Sequence, residues 1–81
     1  MPVFFREAGY KFYFYSDEGD PREPLHIHVQ GKGCDAKIWV QPAVAVQTGY
    51  GLNAHELAKI VRMVERRAKL IESIWHEHFS N

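Results

Sequence analysis

Two histidines stand one residue apart in the run Pro24-Leu25-His26-Ile27-His28-Val29. Residues two apart in a β-strand point to the same side, with Cα atoms roughly 6.5–7 Å apart. If this run is a strand, both imidazoles leave one face of a sheet together. Such a pair suits three kinds of chemistry. As metal ligands, His26 and His28 need further donors, for which Asp35, Asp17, Glu18 and His55 are the candidates. As an acid–base pair for phosphodiester cleavage they need no metal. One neutral imidazole takes a proton and its charged neighbour gives one, while Lys11 or Lys37 steadies the phosphate. As plain strand residues they pack or touch a partner. A third alternating histidine, which the histidine-triad nucleotide hydrolases require, is absent, because position 30 is Gln.

Other reactive side chains carry less. Cys34 is the only cysteine, so no internal disulfide forms, and no neighbouring His or Cys-x-x-Cys marks it as a nucleophile. His76 and His78 flank Glu77, but residues two apart on a helix diverge by about 200° and do not share a ligand. Positive charge there suits the end of a helix. Lys59, Arg62 and Arg66 fall on one helix face, with Glu65 and Glu72 elsewhere; they read as a solvated surface. Gly31-x-Gly33 and Gly49-x-Gly51 are turns rather than phosphate loops.

The histidine run needs a sheet to hold it, and the first half of the chain supplies one. Residues 2–6 form a short apolar strand, and Glu7-Ala8-Gly9 turns the chain. Residues 10–15 (YKFYFY) are strongly strand-forming. Residues 16–24 hold two prolines, a glycine and five charges, so they form a loop. Residues 25–30 are the histidine strand, Gly31-Lys32-Gly33 a turn, 35–40 the next strand, and 43–48 a short extra one. Alternation puts Phe12, Phe14, Leu25, Ile27, Val29, Ala36, Ile38 and Val40 on one face. The opposite face carries Lys11, Tyr13, Tyr15, His26, His28, Gln30, Asp35, Lys37 and Trp39.

The second half is helical. Asn53 with Glu56 three residues later makes a capping box. Leu57, Val61, Val64, Ala68, Ile71, Trp75 and His78 follow at spacings of four and three, a stripe that requires an apolar surface. No Gly or Pro interrupts residues 53–79. A single helix of that length spans about 40 Å, longer than the roughly 25–30 Å width of so small a domain. Either it bends near residues 66–69, or its end overhangs the sheet. An overhang carrying Ile71, Ile74, Trp75 and Phe79 would need a second copy of the chain to cover it.

The 81 residues thus make one α+β domain, residues 1–81, with the sheet in 1–48 and the helical part in 53–79. The expected architecture is an antiparallel sheet of three to five strands, packed on one face by a long C-terminal helix. At 46% hydrophobic and 14% aromatic residues the chain is not disordered. Its formal net charge of zero counts against bulk duplex binding, which wants a basic protein. With one cysteine, no basic segment leading into an apolar one and no run of about 18 apolar residues, the expected location is the cytoplasm, away from membranes. No metal or cofactor is assigned.

The open face joins flat rings to cations, as single-strand RNA binders and protein-binding surfaces do. Its candidate binding residues are Lys11, Tyr13, Tyr15, His26, His28, Lys37 and Trp39. In an enzyme, His26 and His28 would be the catalytic pair. The pieces Phe14-Tyr15-Ser16, Glu18-Gly19, Pro24-Leu25-His26-Ile27-His28-Val29, Ala36-Lys37-Ile38-Trp39 and Trp75-x-x-x-Phe79 resemble a family of small, mostly bacterial proteins, domain of unknown function 4160. Leu25 replaces a second proline that the family often has. The resemblance implies a cytoplasmic α+β protein encoded beside another small protein, in a toxin–antitoxin-like pair. It maps the family's recurring positions onto His26, His28, Lys37 and Trp39. The expected function is therefore a binding module whose His/aromatic face contacts the partner protein or RNA. The alternative is a small metal-independent ribonuclease.

Overall fold

The computed structural model describes residues 2–16 and 23–79. Five strands run in chain order: β1 (Val3–Glu7), β2 (Tyr10–Tyr13), β3 (His26–Gly31), β4 (Cys34–Trp39) and β5 (Ala45–Tyr50). Each pairs antiparallel with the next, giving an uncrossed meander. Most of the loop expected at 16–24 lies outside the described residues. Two hairpins close on two-residue turns whose central residues have positive φ: Ala8 and Gly9 (54° and 85°), then Lys32 and Gly33 (53° and 75°). That handedness matches the twist of the flanking strands, and glycine takes it without steric cost.

The apolar face is the one that alternation selects. Phe12, Phe14, Leu25, Ile27, Val29, Ala36, Ile38 and Val40 are all buried. β1 adds two rings by an irregularity between Val3 and Phe5. Val3 pairs with Tyr13 and Phe5 with Phe12, so the extra residue lets both Phe4 and Phe5 turn inward. Phe5 stacks on Phe12 at 4.3 Å and Phe4 meets Phe14 at 4.8 Å. The fifth strand begins later than expected and runs through Gly49 and Tyr50; the chain turns at Gly51 instead.

Two helices cover this face: α1 (Ala54–Arg66) and α2 (Ala68–Phe79). The capping box is present, with Asn53 Oδ1 accepting from Glu56 N–H at 2.8 Å and Glu56 Oε1 accepting from Asn53 N–H at 2.9 Å. The helix breaks at Arg67, whose N–H donates to the Val64 carbonyl at 3.0 Å. The buried side chains keep one helical face on both sides of the break. Ile60, Met63 and Val64 are buried in α1, then Ile71 and Trp75 in α2, whereas Leu57, Val61 and Ala68 are half-buried and His78 is exposed. Arg66 and Arg67, at the break, reach Glu7 of β1 at 2.8 and 3.3 Å.

Of the two expected outcomes, a bend near residues 66–69 or an overhang, the chain takes the bend, at Arg67. Ile71 and Trp75 lie in the chain's own core, and Ile74 and Phe79 pack against it. Ile71 and Trp75 therefore have a cover within the molecule, while Ile74 and Phe79 stay half-buried.

Candidate functional site

Cross-strand register arranges the other face of the sheet in rows. One row runs Val3, Tyr13, His28, Lys37 and Thr48; the next runs His26, Trp39 and Ala45; a third runs Arg6, Lys11, Gln30, Asp35 and Tyr50. Tyr13, His28 and Lys37 are thus direct neighbours, and so are His26 and Trp39. Tyr15 joins them from just beyond β2. Its ring centre is 4.9 Å from His28 and 5.5 Å from Tyr13, while Tyr13 and His28 stack at 5.5 Å.

Cations lie over these rings. Lys11 Nζ is 4.8 Å above Tyr13 and Lys37 Nζ is 4.8 Å above Trp39. Lys37 also donates to Glu23 Oε1 at 3.3 Å. A cation over a ring face is attracted by the ring quadrupole, so each ammonium also fixes a ring orientation. All seven candidate residues come together, but they are not equivalent. Tyr15 is 42% exposed, and His28, Lys11, Lys37 and Trp39 are half-buried. Tyr13 is only 3% exposed, closed over by Lys11, Tyr15 and His28.

His26 departs from the expectation that both imidazoles look out. It is 0% exposed. Its ring sits 5.4 Å from Trp75, 5.5 Å from Trp39 and 5.3 Å from His28. Nδ1 donates to the Pro24 carbonyl at 3.0 Å; a carbonyl only accepts, so this bond places the proton on Nδ1. Strand alternation puts His26 on the same side as His28, but Trp75 of α2 closes over that end of β3. Trp75 itself is held by Phe14 at 5.5 Å and Phe79 at 4.5 Å. Sequence reading missed this role because a helical tryptophan in a core stripe gives no sign of reaching a strand end.

The remaining candidates disperse. Among the described residues no three His, Cys, Asp or Glu side chains gather to hold a metal ion. His55 is exposed on α1, Asp35 is exposed on β4, and Asp17 and Glu18 lie outside the described residues. Burial pushes the Cys34 thiol up from its ordinary pKa, with the charges of Asp35 and Glu56 adding to the effect. It is therefore a poor nucleophile at neutral pH. Burial likewise raises Tyr10. His78 sets its ring edge-on to Phe14 at 5.0 Å, His76 is exposed, and of Lys59, Arg62 and Arg66 only Arg66 has an ion-pair partner among the described residues, Glu7. No helix among the described residues is long and apolar enough to cross a membrane.

No curated protein and no solved structure matches the chain. The family model described as Domain of unknown function (DUF4160) matches residues 9–76, from the first hairpin turn into the second helix. The chain belongs to that family.

Proposed function

We propose that this chain is a binding module of a two-protein, toxin–antitoxin-like system in the cytoplasm, and that it holds its partner protein on the open face of the sheet. The observation that carries the reading is the cluster of Tyr15, His28, Lys37 and Trp39: rings and a cation, part-exposed, on a rigid sheet whose other face is covered. Aromatic side chains with few rotors lose little entropy when a partner orders them, which is why such residues dominate contact energy. Tyr13 and His26 act from beneath by holding the exposed rings in place.

A protein partner fits better than an RNA backbone. The formal net charge is zero, both face lysines lie over the chain's own rings, and Asp35 shares the face. The ribonuclease alternative needs both imidazoles at the scissile phosphate, and the burial of His26 weighs against it.

The test is co-expression with the product of the adjacent gene. Co-purification that is lost in Trp39→Ala and in His28→Ala, with far-UV circular dichroism unchanged, supports the reading. Unchanged capture by both variants defeats it. RNA cleavage by the purified chain, abolished by His28→Ala, establishes the enzyme instead. Growth arrest when the chain is expressed alone marks it as the toxin of the pair.

A further inference from the structure

At the end of the sheet away from His26, a cleft of about 450 Å³ opens, lined by Arg6, Gly9, Tyr10, Lys11, Gln30 and Gly31. Register sets Arg6 of β1 directly opposite Lys11 of β2, with Gln30 of β3 opposite Lys11 on its other side. Two like charges facing each other across a ladder destabilise a sheet. Among the described residues neither cation has an ion-pair partner. Glu7, the next residue along β1, is turned to the helices, where Arg66 and Arg67 hold it. Asp35 shares the row, but it stands two strand spacings from Lys11, roughly 10 Å.

Backbone closes the cleft at the hairpin end. A Cβ on Gly31 would come within 2.5 Å of the Gly9 carbonyl oxygen, so the first turn and the end of β3 meet this closely only because residue 31 is glycine. Lys32 folds back over that turn: its Cε lies 2.6 Å from where a Cβ on Gly9 would sit, and its Nζ is 5.0 Å above the Tyr10 ring. It adds a third positive charge beside the cleft. Lys11 Nζ lies over Tyr13 at 4.8 Å, and an ammonium has three N–H donors, so the ring contact leaves donors for a ligand. Arg6 is exposed, and its guanidinium fork is uncommitted among the described residues.

We infer that this cleft is a carboxylate site, and that an acidic side chain of the partner protein occupies it. The inference rests on the partner-binding reading of this face. The cleft's row and the Tyr13–His28–Lys37 row are one side-chain repeat apart, roughly 6.5–7 Å, so a segment lying on the exposed rings reaches it. Charge complementarity identifies the occupant. A guanidinium binds a carboxylate through two parallel N–H bonds, and one negative charge relieves the repulsion between Arg6 and Lys11. A nucleic-acid strand instead brings a charge with every nucleotide. Among the described residues no line of unpaired cations continues from the cleft: its row leads to Asp35, and Lys37 in the next row is matched by Glu23.

The test is an NMR titration of the isotope-labelled full chain at constant ionic strength, with acetate as the probe and acetamide as its neutral control. Acetate should shift the side-chain N–H signals of Arg6 and Gln30 to saturation, and acetamide should not. Read at Gln30, Arg6→Gln and Lys11→Gln should each weaken acetate binding by about threefold to fivefold, the loss of one exposed charge pair, whereas Lys59→Gln on α1 leaves it unchanged. Arg6→Glu should lower capture of the adjacent gene's product by at least about tenfold, since it sets carboxylate against carboxylate. Shifts that do not saturate, or that both cleft variants retain, overturn the inference. So does tighter binding of dimethyl phosphate than of acetate, which would mark a phosphate site. Capture that persists in Arg6→Glu overturns it too, with the partner-binding reading left intact. A parent chain that binds acetate yet captures nothing overturns that reading and keeps the carboxylate site.

Discussion

The first and third residues of β3 are the same type on the same side of the same strand, and they finish in opposite surroundings. At its start, His26 is shut in by Trp75 and Trp39 with its Nδ1 on a backbone carbonyl. Two residues on, His28 lies among Tyr13 and Tyr15 and stays half-open. Alternation along a strand determines which side a residue leaves, but not whether anything covers that side. The cover comes from α2, more than forty residues further along the chain.

Removing the cover is the strongest way to break this contrast. Trp75→Ala should cost about 3–5 kcal/mol, the usual penalty for deleting a buried large ring, read as a lower urea midpoint. It should also make His26 as reactive toward diethyl pyrocarbonate as His28, whereas of these two only His28 is modified in the parent chain. Next in size, His26→Ala should cost about 1–3 kcal/mol, because it strands the Pro24 carbonyl and empties a closed site. His28→Ala should change stability by no more than about 0.5 kcal/mol. Equal stability losses for the two histidine variants would erase the distinction between the two positions. Lys37→Ala removes an ion pair with the exposed Glu23 and should fall within about 1 kcal/mol.

Cys34 extends the contrast between closed and open positions to β4. Burial favours its neutral thiol, so alkylation by iodoacetamide should be slow at neutral pH and should quicken only above the ordinary thiol range. The sign follows for stability too. A raised thiol pKa supports the fold while the group stays protonated, and that support is lost as the pH climbs through the folded-state value. Fast alkylation near pH 7 would show that this end of β4 opens.

Much of the architecture was legible from local patterns. The eight alternating apolar residues from Phe12 to Val40 all line the core, and the Asn53–Glu56 box starts the helix. Both signals depend on fixed geometric periods and on chemistry within four residues. Phe4 and Phe5 were less legible, since a bulge in β1 sets both inward and strict alternation allows only one. Ile60 and Met63 were missed because the counted stripe took Leu57 and Val61, which border the buried face, and spacing alone does not say which of two adjacent lines of side chains meets the sheet.

The amino-acid order alone decided the family, the sheet's apolar side and the composition of its aromatic face, since each follows from residue type and short-range spacing. The tertiary structure alone decided which of those face residues meet solvent. Helix placement determines burial, and it rests on contacts between residues far apart in the chain, such as Trp75 with His26 and Arg66 with Glu7. No local period encodes such contacts; they arise only when the helices bend at Arg67 to bring both apolar stripes down onto one sheet.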